Sequence, residues 1–300
     1  MNSYAELGEL VRSGEKDWKQ YGEVNATYWE GNVLFNYGFK AEIANRWNWF
    51  ERVSRGLILD EKTGELVALC MEKFWGLGQG GRVPSGNLVE VTEKVDGSCG
   101  FLFRHQGKWR IATRGSFESE QALFATEFIN RNWKGSLEYM SEDLTFMFEI
   151  LYPANRIVVD YGDREDLVLI AVRDKVTLRD WRFIDFHELS QWLGFNTPKV
   201  SYFDSVDDIV AAQRTIDANQ EGWVARFSDG TRFKFKGDDY VALHRIINQL
   251  TFKRVLEDCG VSLDDSDDEL RRAFATVVQP RKCFEIAKRL QLRRGNSGTT

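Results

Sequence analysis

The stretch Trp223-Val224-Ala225-Arg226-Phe227-Ser228-Asp229-Gly230-Thr231-Arg232-Phe233-Lys234-Phe235-Lys236 has the outline of a β-hairpin. Trp223 to Phe227 and Thr231 to Lys236 are strand runs, and Ser228-Asp229-Gly230 between them is turn chemistry. Side chains alternate along a strand, so Lys234 and Lys236 leave one face while Phe233 and Phe235 bury the other. Two ammonium groups side by side repel unless something anionic lies between them, and a triphosphate is the obvious candidate. With no such anion, the same pattern describes an amphipathic strand with a solvated lysine face.

Working outward, the chain reads as strands from about residue 30. Leu57-Ile58-Leu59 and Leu66-Val67-Ala68-Leu69 flank a turn that holds Gly64. Leu88 to Glu93 is a strand, and Gly100 to Arg104 and Trp109 to Thr113 form a hairpin around Gly107. Ser119 to Trp133 has helical spacing, with Leu123, Phe124, Phe128 and Ile129 near one face. Leu144 to Leu151 and Leu167 to Arg173 read as buried strands, and Phe183 to Leu193 as a helix. The first residues, MNSYAELGELVRSGEKDWKQY, are an amphipathic helix pattern and not a signal peptide. From Tyr240 onward the pattern is helical. The expectation is an α+β fold: antiparallel sheets flanked by helices over residues 1–240, with an N-terminal subregion at 1–88, then a small helical region at 241–300.

With 300 residues, 43% of them hydrophobic and including 10 Trp and 21 Phe, the chain can fill a core. No segment approaches the apolar length needed to cross a bilayer. Cys70, Cys99, Cys259 and Cys283 are scattered with no CxxC pair, and with 3 histidines a structural zinc site is not expected. These facts point to a reducing cytoplasm and a monomer. The net charge of −6 disfavours coating nucleic acid by bulk electrostatics. Arg271, Arg272, Arg281, Lys282, Lys288, Arg289, Arg293 and Arg294 nevertheless crowd the tail, behind an acidic run from Asp264 to Glu269. Such a tail is either a solvated helical face or a phosphate-contacting flank, and charge alone does not choose.

Glu93-Lys94-Val95-Asp96-Gly97 places a lysine where a strand ends and the chain turns back. Lysine attacks an α-phosphate only as the neutral amine, so its pKa must fall below the usual value of about 10.4. Burial and nearby cations both push that way. Phe146-Met147-Phe148-Glu149-Ile150 puts one carboxylate in an apolar strand, which is costly unless it is paired or ligated. A ribose hydroxyl, a Mg²⁺ ion or a core arginine such as Arg156 would satisfy it. Glu221-Gly222-Trp223-Val224 repeats the theme, and two carboxylates plus phosphate oxygens suffice for Mg²⁺. Arg55-Gly56, Lys73-Phe74-Trp75 and Arg114-Gly115-Ser116 add cations at strand or hairpin ends.

Taken in order from about Phe35 to His244, these segments resemble the bacteriophage-type RNA ligase 1 family of ATP-dependent covalent nucleotidyltransferases. Phe35-Asn36-Tyr37, Ser54-Arg55-Gly56 and Met71-Glu72-Lys73-Phe74-Trp75 precede Lys94-Val95-Asp96-Gly97-Ser98. Arg114 to Ala122, Phe148-Glu149, Asn155-Arg156-Ile157-Val158, Glu221 to Ala225, and Phe233-Lys234-Phe235-Lys236 leading to Tyr240-Val241-Ala242-Leu243-His244 follow it. The resemblance implies that Lys94 is the adenylated nucleophile and that Lys234 and Lys236 grip the α-phosphate. It implies that Arg55 and Glu149 hold the ribose, that Val224 lines the adenine pocket, and that Tyr37, Lys73 and Arg114 orient pyrophosphate. Glu93, Gly97 and Trp75 complete the implied nucleotide-binding set, and Glu149 and Glu221 are the carboxylates implied for the metal and its water shell. Arg114 stands where relatives can have lysine, and Trp75 where they can have phenylalanine.

The implied cofactors are ATP and Mg²⁺, with Mn²⁺ as a substitute. The implied substrate is RNA with 5′-phosphate and 3′-hydroxyl ends, such as a cleaved tRNA loop. A DNA ligase or GTP-dependent capping enzyme shares the lysine chemistry. A non-catalytic RNA-binding relative is the third reading, and the intact lysines and carboxylates argue against it. About 64 residues follow Lys236, short for an OB-fold and without its dense strands. If the tail arginines touch phosphate, removing residues 270–300 weakens RNA binding and flattens its salt dependence in a titration at several salt concentrations. An unchanged salt slope and unchanged end joining would make the tail structural.

Overall fold

Short amphipathic strands, each burying alternate side chains, set the architecture of the computed structural model, which describes residues 1–247. The chain begins with α1 (Tyr4–Arg12), capped by the Ser3 side chain, which accepts from the Glu6 amide. Next come β1 (Val24–Trp29), β2 (Asn32–Tyr37), α2 (Phe39–Ala44), α3 (Trp49–Val53), β3 (Arg55–Asp60) and β4 (Leu66–Ala68). They are followed by β5 (Trp75–Gly76), β6 (Leu88–Glu93), β7 (Ser98–His105), β8 (Lys108–Thr113), α4 (Glu120–Asn132) and α5 (Lys134–Leu137). The remainder is β9 (Leu144–Leu151), β10 (Asp166–Asp174), α6 (Phe183–Leu193), α7 (Val206–Ala212), β11 (Gly222–Phe227) and β12 (Arg232–Lys236), and residues 238–247 are helical.

The described residues gather into two compact units. The first takes Met1–Phe74, Ser98–Ile150 and Asp166–Pro198; the second takes Trp75–Gly97, Leu151–Glu165 and the chain from Lys199. The first unit holds two sheets, ordered β1-β2-β3-β4 and β10-β9-β7-β8. Its core includes Leu34, Phe35, Phe50, Leu57, Leu59, Phe101 and Met147, with Trp18 edge-on to Phe35 at 4.7 Å. The second unit holds one sheet, ordered β5-β12-β11-β6. Its apolar face presents Val91, Trp223, Ala225, Phe227, Phe233 and Phe235, packed against Ile209 of α7.

The hairpin read first from the sequence is β11–β12, with Val224 opposite Lys234 and Trp223 opposite Phe235. Its turn is pinned by Asp229, whose carboxylate accepts from the Thr231 amide (2.9 Å) and hydroxyl (2.6 Å) and from Ser85. The Ser85 and Thr231 hydrogen bonds hold the Asp229 carboxyl down at about 2. Outside the hairpin, β5 runs parallel to β12, and the β1–β2, β2–β3, β3–β4, β6–β11, β7–β8 and β7–β9 pairings are antiparallel.

The sequence reading and the structure differ in places. The helix expected over Ser119–Trp133 is α4, with Ser119 as its cap, but its buried face is Ala122, Ala125, Phe128 and Ile129. Leu123 is 52% exposed, because two alanines fit the close approach to β8 that a leucine would block. Helices α2, α3 and α7 are too short, at 6, 5 and 7 residues, to show a periodic pattern, and the reading missed them. The acidic run, the basic tail and most of the helical region expected at 241–300 lie outside the described residues. Among the described residues no helix is long and apolar enough to cross a membrane.

Gly222 opens β11 at φ +130°, and a Cβ there would lie 1.9 Å from the Phe235 carbonyl oxygen. Backbone strain and a backbone clash add, so Gly222→Ala should destabilise the protein by about 2 kcal/mol or more. A thermal melt within error of wild type would contradict this.

Candidate functional site

Strand register brings Lys94, Glu221 and Lys236 together. In the second unit's sheet Gly222 pairs with Lys236 on one side, and Trp223 pairs with Glu93 on the other. Glu221, one residue before β11, therefore falls between the end of β12 and the residue that follows β6. The Lys94 amide donates to the Gly222 carbonyl (2.8 Å) and the Gly237 amide to the Glu221 carbonyl (3.0 Å), which fixes the three backbones. Lys94 Nζ donates to Glu221 Oε2 at 2.8 Å, and Lys236 Nζ to Oε1 at 2.8 Å. Glu221 is 3% exposed. Burial pushes its carboxyl up, but the charges of Lys94 and Lys236 outweigh that and hold it below the ordinary carboxylate range. Lys234 and Val224, opposite one another in the hairpin, share this polar face and are half-buried. The anion expected beside the lysines is thus in part the protein's own carboxylate.

Asp96 braces the lysine from behind. Its Oδ2 accepts from the Val158 and Val159 amides, each at 2.9 Å, and its Oδ1 accepts from the Tyr240 hydroxyl at 2.8 Å. The Asp96 amide donates to the Tyr161 hydroxyl at 2.9 Å. These partners belong to an apolar cluster of Val158, Val159, Tyr240 and Leu243, so the loop carrying Lys94 is tied into a core. Burial, together with the Glu221 and Asp96 carboxylates, pushes the Tyr240 hydroxyl up and keeps it a donor. His244 stacks on Tyr240 at 5.7 Å, and burial and Lys236 push its ring toward the neutral form. The sequence reading quoted Asp96, Tyr240 and His244 without giving them roles. Nothing in the spacing says which amides an aspartate will meet.

In the first unit, Tyr37, Lys73 and Arg114 converge as the sequence implied. The Tyr37 hydroxyl accepts from Arg114 Nη1 at 2.9 Å and from Lys73 Nζ at 3.2 Å. Two residues not foreseen complete the group. Glu42 of α2 pairs with Lys73, and Trp47 lies edge-on to Tyr37 so that both rings flank the Lys73 ammonium, at 4.6 and 4.7 Å. Arg55 opens β3, donates to the Met71 (3.4 Å) and Glu72 (3.2 Å) carbonyls, and stands over the Phe74 ring at 5.4 Å. Glu149 is buried in β9 opposite Cys99.

The remaining expected residues are in the second unit. Arg156 pairs with Asp160 at 2.6 Å and donates to the Val158 carbonyl. Trp75 is half-buried in β5 under the Arg82 guanidinium at 4.0 Å. Glu93 donates its amide to the Lys199 carbonyl, and Gly97 ends the lysine loop.

Each Glu221 oxygen accepts from one ammonium group at 2.8 Å, so anything else that meets this carboxylate shares its oxygens with Lys94 and Lys236. Among the described residues no group of three or more His, Cys, Asp or Glu gathers as a metal site.

A family model described as RNA ligase, of the phage T4 RNA ligase 1 type, matches residues 53–240, more than half of the chain. The chain belongs to the phage T4 RNA ligase 1 family. A Thermovibrio ammonificans protein with a provisional RNA ligase name is 28% identical over 259 residues, covering 81% of this chain and 65% of its own length. A protein of Autographa californica nuclear polyhedrosis virus, provisionally named a bifunctional polynucleotide kinase/RNA ligase, is 27% identical over 217 residues, covering 64% of this chain and 30% of its own. The chain thus spans under two thirds of the length of these relatives. Among solved structures, Naegleria gruberi RNA ligase with pyrophosphate is similar at 21% identity and a TM-score of 0.45, over 53% of this chain and 52% of that one. The match covers Lys94, Glu221 and Lys236 together, so this family member keeps them inside the shared region.

Glu221→Gln should destabilise the protein at pH 7 by about 2–3 kcal/mol, below the usual cost of breaking a buried pair because Lys94 and Lys236 keep 22% and 24% of their surface exposed. Because the folded carboxyl lies below its ordinary 4.5, its contribution is present above that value and lost as pH falls through the lowered one. Denaturant titrations of wild type and variant should therefore converge once pH has fallen below that lowered value. A gap that persists there would show that the carboxylate charge is not what stabilises.

Proposed function

We propose that this protein is an ATP-dependent RNA ligase that joins 5′-phosphate and 3′-hydroxyl ends through AMP carried on Lys94. The observation that carries the reading is the Glu221 carboxylate set between Lys94 Nζ and Lys236 Nζ at 2.8 Å each, within a family of RNA ligases. The relatives bear RNA ligase names, and one solved neighbour is an RNA ligase with ATP and Mn, which supports ATP as the nucleotide.

The chemistry runs in three transfers. The Lys94 nitrogen, once its proton has left to water, bonds to the α-phosphorus as the bond to the pyrophosphate oxygen breaks. With its carboxyl held low, Glu221 binds the Lys94 ammonium rather than taking its proton, and it keeps Nζ aimed at the polar face. Lys236 and Lys234 neutralise charge that builds on the α-phosphate oxygens. AMP then passes to a 5′-phosphate oxygen of RNA, freeing the lysine, and a 3′-hydroxyl attacks that phosphorus and expels AMP. Arg55 and Glu149 hold the ribose and Val224 lies against the adenine; Tyr37, Lys73 and Arg114 hold the leaving pyrophosphate. A divalent ion, Mg²⁺ or Mn²⁺, would come with the ATP substrate and offset phosphate charge, and Glu149 and Glu221 would serve its water shell. In this reading residues 1–240 are the adenylyltransferase, and the protein works as a cytoplasmic monomer on broken RNA such as a cleaved tRNA loop.

Incubation with α-labelled ATP and Mg²⁺, followed by denaturation, should label wild type and leave Lys94→Ala blank. A 5′-phosphorylated oligoribonucleotide added next should give circles or joined strands. Label from GTP alone would favour a capping enzyme, and no label from either would remove the covalent mechanism.

A further inference from the structure

Lys73, Tyr37 and Arg114 form an anion cradle that already holds an anion. Lys73 is deeply set, with a side chain 9% exposed, whereas its partner Glu42 is 46% exposed. The Tyr37 hydroxyl links the cations: it accepts from both and donates to Glu42 Oε1 at 3.4 Å. The rings of Tyr37 and Trp47 stand at 89° and close two sides of the ammonium, whose polar contacts are the Tyr37 hydroxyl and Glu42. Glu42 comes from α2, a helix of six residues that ends on Asn45 in the left-handed region, so the carboxylate hangs on a short element at the surface.

A half-exposed carboxylate on a buried lysine is a poor structural choice. It gains little net energy where solvent competes, yet it cancels the charge that the cradle would offer to a ligand. We infer that Glu42 is a resting counter-ion that occupies the pyrophosphate position on Lys73, Tyr37 and Arg114, and that the incoming phosphates must displace it. This rests on the role proposed above for those three residues and adds a regulation of the same site. The carboxylate competes with free pyrophosphate, so it hastens product departure and disfavours the reverse cleavage of lysyl-AMP. Trp47 keeps the ammonium enclosed while the anion changes.

Titration of inorganic pyrophosphate with Mg²⁺ into the full chain by calorimetry tests this without any covalent step. Glu42→Gln keeps the shape, removes the charge and should bind pyrophosphate about three- to tenfold more tightly than wild type. The KM for ATP in the labelling reaction should fall with it while kcat does not rise. Glu42→Ala should show the same direction, and Glu42→Asp should stay near wild type. Unchanged or weaker pyrophosphate binding in Glu42→Gln overturns the inference and makes Glu42 a positioning residue for Lys73. Failure of both Glu42→Gln and Glu42→Ala to fold makes it a structural strut, which overturns the inference equally. A wild type that labels on Lys94 but binds no pyrophosphate sinks the inference and spares the ligase reading; one that binds pyrophosphate but never labels does the reverse.

Discussion

One buried carboxylate with an ammonium group on each oxygen is the constraint around which the second unit is arranged. Alone, Glu221 could not stay charged at 3% exposure, and alone, Lys94 and Lys236 would repel. Together they satisfy one another, but only while three strand ends hold their register. That dependence explains why Gly222 follows Glu221: the chain must turn at positive φ, and the Phe235 carbonyl leaves no room for a side chain. The electrostatics of the site and the backbone geometry of the sheet are one requirement seen from two sides.

Behind that arrangement stands a second buried carboxylate with a different task. Asp96 gives its oxygens to two backbone amides and a tyrosine hydroxyl, and among the described residues no cation contact joins them. Hydrogen bonds of this kind anchor a loop. The lysine is therefore aimed by two acids, one that touches it and one that fixes the turn it sits on. Within the first unit, aromatic rings rather than backbone set the position of Lys73 beside Tyr37.

The sheets were legible because period-2 alternation is local: Phe233 and Phe235 against Lys234 and Lys236 need no knowledge of the rest of the chain. The same holds for the β7–β8 hairpin around Gly107 and for α6, whose observed bounds Phe183–Leu193 match the pattern. Short helices were not legible, since five to seven residues make less than two turns and show no period. The buried face of α4 was misjudged because alanine carries little hydrophobic signal yet packs closest. Glu42 and Trp47 went unnoticed for a related reason. Their neighbours Lys73 and Arg114 are distant in sequence, and an acid on a surface helix is ordinary until its partner is known.

By themselves the ordered motifs carried the resemblance that named the family, and strand alternation was legible, because both are properties of residues near one another along the chain. Which oxygen of Glu221 meets which lysine, that Asp96 braces rather than reacts, and that Lys73 already carries a counter-ion were decided only by tertiary structure. Those facts depend on register between strands far apart in sequence, and charges and hydrogen bonds act over a few ångströms of space rather than along the chain.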